Sequence, residues 1–141
     1  MASEVHRHHV FKIRFLAGIN VDGGDRNLIA HNRIRGSGRD GIVVGFPFAR
    51  DGEDNKLIGN RVRDGVRVSK KFTDTLLKRN HTSGADDDGI DARRASTTLT
   101  RNRARHNHDL GIDAVERVTD GGGNRASGNG DSRQCVNVRC Q

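Results

Sequence analysis

The chain has 141 residues, a length that fits one domain. Only 32% of it is hydrophobic, with five Phe and neither Trp nor Tyr, which excludes a thick aromatic core, and no apolar run reaches the roughly 18 residues of a membrane span. Eighteen Gly against one Pro, 30% charged residues and a net charge of +7 leave either disorder or a repeat fold with a thin core of small and β-branched side chains.

Residues 1–15 do not read as a secretory signal, because their apolar stretch is short and broken by Lys12 and Arg14. They read as an N-terminal segment or partial cap, with Val10, Ile13 and Phe15 offering apolar surface and His6, His8 and His9 clustered in a part expected to fray. A repeat fills residues 16–130. Gly-Ile or Gly-Val recurs at Gly18-Ile19, Gly41-Ile42, Gly65-Val66, Gly89-Ile90 and Gly111-Ile112, in steps of 23, 24, 24 and 22 residues. The first and third residues after each Gly are apolar (Ile19/Val21, Ile42/Val44, Val66/Val68, Ile90/Ala92, Ile112/Ala114). The second, Asn20, Val43, Arg67, Asp91 or Asp113, is mostly polar and faces outward. Alternation with period two in short pieces predicts strands and excludes helical repeats.

A second landmark is Asn32, Asn60, Asn80, Asn102 and Asn129, each placed three residues after Ile29, Leu57, Leu77, Leu99 or Ala126. Asn suits a bend because it tolerates the left-handed region and its amide can bond along a stack. The distance from Gly to Asn is 14, 19, 15, 13 and 18, which predicts loop insertions at 46–53 and 118–123. Each unit reads as strand, loop, strand, Asn, strand. The expected fold is all-β: a right-handed, single-stranded parallel β-helix of about five coils, 22–24 residues each, rising about 4.8 Å per coil. Residues 131–141 form a C-terminal cap. Its Cys135 and Cys140 lack further metal ligands and read as a small disulfide loop, with free thiols the alternative.

The stretches NLIAHNRIRGSGRDGIVV, NKLIGNRVRDGVRV, DDDGIDARRASTTLTRNRARHNHDLGIDA and DGGGNRASGNGDSRQCVNVRC resemble the right-handed parallel β-helix repeat proteins of the pectate-lyase-like superfamily. The resemblance covers residues 16–141. It implies a C-terminal fragment of a longer exported bacterial member, secreted or at the cell surface, although this chain shows no signal peptide. DDDGID is also similar to the Asn-Thr-Asp-Gly-Ile-Asp strand of polygalacturonases, but the Asn-Thr and the partner motifs of that activity are missing.

In-register stacking places Asp91 and Asp113 on adjacent coils, about 5 Å apart, with Arg67 and Arg93 close by. Such a set is the candidate catalytic group for a polysaccharide lyase or glycoside hydrolase acting on acidic polysaccharide. The reading preferred to that one is an outward Asp ladder, solvated or paired with the neighbouring Arg. Asp86, Asp87 and Asp88 are the candidate metal ligands; Ca2+ is the one ion that suits them, and no other cofactor is expected. His106 and His108 flank Asn107 in what reads as an exposed turn. Twenty of the 25 basic residues are Arg, scattered along the sequence with acids nearby. Without aromatic stacking residues, nucleic acid is disfavoured as a partner. The reading preferred on these grounds is a non-catalytic module presenting a face to polysaccharide or a surface protein, monomeric or joined edge to edge.

Overall fold

The computed structural model describes residues 2–13, 17–45 and 48–141. Phe15, Phe46 and Pro47, which the sequence assigns to the cap and to the first insertion, lie outside these. All regular elements are short strands, no helix occurs among the described residues, and every pairing between neighbouring strands is parallel.

Three six-stranded sheets run along the stack. Sheet I contains Glu4–His6, Leu28–Ala30, Lys56–Ile58, Leu76–Lys78, Thr98–Thr100 and Thr119–Asp120. Sheet II contains His9–Ile13, Arg33–Ser37, Arg61–Val62, His81–Ser83, Arg103–Arg105 and Arg125–Ser127. Sheet III contains Ile19–Val21, Ile42–Val44, Val66–Val68, Ile90–Ala92, Ile112–Ala114 and Cys135–Val136. The chain visits the sheets in that order at every level. Six rungs and the steps between them make the parallel β-solenoid of about five turns that the Gly-Ile period predicts. A separate two-stranded ladder, Gly52–Glu53 with Phe72–Thr73, widens the bend between sheets III and I at two neighbouring levels. Phe72 fills that widening and is fully buried.

The predicted aliphatic file is present. Ile19, Ile42, Val66, Ile90, Ile112 and Cys135 pair in register through sheet III. Ile42, Val66, Ile90 and Ile112 have at most 1% of their surface exposed. Sheet I contributes Ile29, Leu57, Leu77 and Leu99; sheet II contributes Ile34, Val62, Thr82, Ala104 and Ala126. The sheet II series shrinks along the chain. So does the second inward series of sheet III, Val21, Val44, Val68, Ala92 and Ala114, so the core tapers toward the C-terminus. The recurrent Gly answers a lack of space: a Cβ at Gly41 would lie 2.1 Å from Val62 Cγ1, and one at Gly111 would lie 2.6 Å from Ala126 Cβ.

A buried asparagine ladder fixes the register between sheets I and II. The Oδ1 of Asn60 accepts from the backbone N–H and the side-chain amide of Asn32, both at 3.0 Å. Asn80 does the same for Asn60, Asn102 for Asn80 and Asn124 for Asn102. Each amide also donates to a carbonyl of the preceding rung: Asn32 to Val5, Asn60 to Ile29, Asn80 to Leu57, Asn102 to Leu77 and Asn124 to Leu99. Two sequence expectations are corrected here. The last member of the ladder is Asn124, so residues 118–123 hold no insertion and Thr119–Asp120 is the sheet I strand of the last rung. Asn129 belongs to a second ladder with Asn107 at the bend between sheets II and III. The left-handed residue of the first bend is the one before each Asn, at φ 55° for His31, 56° for Arg79 and 55° for Arg101, so the Asn serves as a hydrogen-bonding spacer and not as the turn residue.

Replacing Asn80 by Ala removes the acceptor of the Asn60 backbone N–H and side-chain amide and the amide donor to the Leu57 carbonyl, while Asn102 Oδ1 keeps the Asn80 backbone N–H. The expected loss is roughly 2–4 kcal/mol. Asn20→Ala, on an exposed outward position, is expected to stay within about 0.5 kcal/mol. Chemical denaturation of both variants checks the contrast.

Candidate functional site

The middle residue of each sheet III strand points away from the core and forms the column Asn20, Val43, Arg67, Asp91, Asp113, Val136. Asp91 and Asp113 are adjacent in register, as the repeat implies. Arg67 Nε lies 3.4 Å from Asp91 Oδ2, and its Nη2 lies 3.7 Å from Asp40 Oδ1. Arg93 pairs through Nε with Asp91 Oδ1 and through Nη2 with Asp113 Oδ2 at 3.1 Å. The four sequence candidates therefore form one continuous ion-pair chain, extended by Asp40, which sequence reasoning left out. Burial raises the Asp91 pKa, and nearby Asp113 adds to it; Arg93 and Arg67 work against the rise without cancelling it. Burial likewise raises Asp40 against the pull of Arg67 and Arg39.

This chain of charges lines a groove of about 580 Å³ whose walls include Asp40, Val43, Arg67, Lys71, Asp91 and Arg93. Lys71 and its neighbours come from the bend widened by Phe72. The Lys71 ammonium donates to the Ala49 carbonyl at 3.1 Å, which ties one wall to the preceding rung.

A second cluster lies at the bend between sheets II and III. Asp87, Asp88 and Asp109 each bring a carboxylate oxygen within 4.8 Å of the others. Asp86 is outside this group, and Asp109 comes from the next rung, where Asp109 N–H donates to the Asp87 carbonyl. One Asp88 oxygen accepts from Leu110 N–H at 2.9 Å. Burial, then the charges of Asp87, Asp113 and Asp91, raise the Asp88 pKa to about 6 in spite of that bond. His106 and His108 are exposed, on either side of buried Asn107. His6 and His31, from adjacent rungs, stand edge to face with ring centres 5.4 Å apart. Cys135 and Cys140 are joined in a disulfide that ties the sheet III strand of the last rung to Asn124, the bridge partner of Cys140.

The family model for the periplasmic copper-binding protein (NosD) matches residues 4–129. That span is most of the chain, and the chain belongs to this family of parallel β-helix proteins. No curated protein and no solved structure matches it significantly.

The described residues do not fit copper. Protein copper sites draw on Cys, Met and His. Both cysteines are in the disulfide, and Met1, which is the single Met, lies outside the described residues. Among the described residues, the one group of three His, Cys or acidic side chains close enough to share an ion is Asp87, Asp88 and Asp109. Three carboxylates suit a hard cation, not copper.

Thermal melting with Cu(I) or Cu(II) is therefore expected to show no rise in Tm, since an ion without a folded-state site adds no stability. The raised Asp88 pKa sets a pH dependence. Between about pH 4 and about pH 6 the folded chain keeps a proton that the unfolded chain has lost. Its stabilising contribution is complete below pH 4 and disappears as pH rises through about 6. Asp88→Asn keeps the acceptor for Leu110 and is expected to flatten this fall, as read from melting curves across that range.

Proposed function

From this family membership we propose that the chain is an exported, non-catalytic β-helix module that holds a polysaccharide strand in the groove over sheet III. The disulfide supports an oxidising compartment, and the family's description as periplasmic points the same way. The observation that carries the reading is the ion-pair chain along the groove. Adjacent guanidinium and carboxylate groups present fixed donors and acceptors side by side, an arrangement that matches neighbouring sugar hydroxyls. Arg39, Lys70 and Lys71 on the walls exceed the acids that face them and favour sugars that carry carboxylates. A surface protein with acidic side chains is the alternative occupant. Ca2+ is the ion that the Asp87–Asp88–Asp109 group would take.

A lyase or hydrolase acting on acidic polysaccharide is the second reading, motivated by the adjacency of Asp91 and Asp113. Arg93 pairs with one oxygen of each carboxylate, so the two acids sit in an ion-pair chain instead of standing apart as an acid and a base, and the non-catalytic reading is preferred for that reason.

Arrays of uronans, glucans and peptidoglycan are expected to yield a polysaccharide ligand. Arg67→Gln, which leaves Asp91 paired with Arg93, is expected to weaken binding roughly tenfold with an unchanged Tm. Silence across the arrays overturns the proposal. Unsaturated products or new reducing ends from pectate or alginate, with or without Ca2+, would move the site to the enzyme reading.

A further inference from the structure

The arginines look dispersed along the sequence, but the rungs collect them. The first outward column of sheet II is His9, Arg33, Arg61, His81, Arg103, Arg125, each paired in register with the next. The second begins with Phe11 beside Arg35 and ends with Ser83, Arg105 and Ser127. Arg63 joins it, its N–H donating to the Ile34 carbonyl. Seven guanidiniums thus share one face, none of them within ion-pair distance of a carboxylate or donating a side-chain hydrogen bond to a protein acceptor among the described residues. The Nε atoms of Arg33, Arg103 and Arg105 are buried without partners. Like charges stacked at strand spacing repel, so this face stores unfavourable charge in the free protein. His81 reports the same field: burial and then Arg61 and Arg105 hold its pKa below the usual imidazole value.

The shape of the face narrows the partner. Sheets I and II are separated by two-residue bends at the first five rungs, so no loop rises beside sheet II on that side. A strand-like polymer is best held by walls, as in the groove over sheet III; a predominantly basic face without a wall on the sheet I side fits a planar anionic surface. At one end of it Phe11 is 55% exposed. With Arg35 and Arg63 it borders a depression of about 490 Å³, and Asp64 sits at the rim. An exposed ring among arginines is the arrangement that anchors a protein at the boundary between lipid headgroups and acyl chains. The absence of Trp and Tyr argues against stacking on single-stranded nucleic acid.

We infer that the outer face of sheet II docks on an anionic phospholipid membrane surface, the arginines meeting lipid phosphates and Phe11 entering the headgroup boundary. This is independent of the groove, which lies over a different sheet.

Co-sedimentation with vesicles tests it. The intact chain is expected to bind an equal mixture of phosphatidylglycerol and phosphatidylcholine, to ignore phosphatidylcholine alone, and to be released by salt. The triple variant Arg33→Gln, Arg61→Gln, Arg103→Gln is expected to bind roughly a hundredfold more weakly, at about fivefold per charge. Arg67→Gln is expected to leave vesicle binding unchanged, which separates this face from the groove. Should the triple variant fail to fold, Phe11→Cys carrying an environment-sensitive dye replaces it, with a blue shift expected on anionic vesicles only. Equal binding to both vesicle types, no binding to the anionic ones, no dye shift, or tighter binding to polygalacturonate or DNA than to anionic vesicles overturns the inference.

Discussion

One buried amide per rung holds this chain in step. In the series from Asn32 to Asn124, the first Oδ1 takes the His8 N–H, each later Oδ1 takes two hydrogen atoms from the preceding Asn, and each amide answers a carbonyl of the preceding rung. A buried amide is tolerated only when its donors and acceptors are matched, so a slip of one residue would leave all of them unpaired along the stack. The apolar contacts alone are less exacting, because Ile, Val and Leu of similar volume replace one another with modest loss. Hydrophobic burial closes the solenoid, and the amides decide which residue sits above which.

The surface chemistry follows from that vertical alignment. Residues about one coil apart in sequence become neighbours, so a pattern of single charges is converted into columns. Sheet III and the residues just beside its strands receive both signs and form the chain Asp40, Arg67, Asp91, Arg93, Asp113. Sheet II receives one sign and forms the arginine face. Two faces of one narrow solenoid thus acquire opposite electrostatic characters, one internally compensated and the other not.

The repeat was readable because Gly-Ile and the interior file have simple periods, and those residues stack where the period places them. The last coil was harder. Asn129 follows a run that looks like a strand, whereas the Gly-Gly-Gly before Asn124 looks like a loop, and only the hydrogen bonds show which of the two continues the ladder. Asp91, Asp113, Arg67 and Arg93 could be found from register alone. Asp109 carried a signal in its 22-residue separation from Asp87, which is one coil, but the run of three acids drew attention to its own neighbours. The arginine face carried the same kind of signal. Scanning the line of sequence for local clusters misses it, because charges on a solenoid cluster between coils and not within them. The groove walls at Lys70 and Lys71 depend on a widened bend around Phe72, for which the spacing offers no rule.

Stacks of near-identical layers carry a hazard of their own: a whole layer can pair with the wrong neighbour and lose only the contacts at the two ends. The narrowing interior removes that freedom. Shifting the chain by one layer toward the C-terminus would drive Ile34 into the room left for Val62 and Thr82 into the room left for Ala104, while the opposite shift would open voids. The graded size of these side chains sets the order of the layers where the interior steps down, from Ile34 to Val62 and from Thr82 to Ala104.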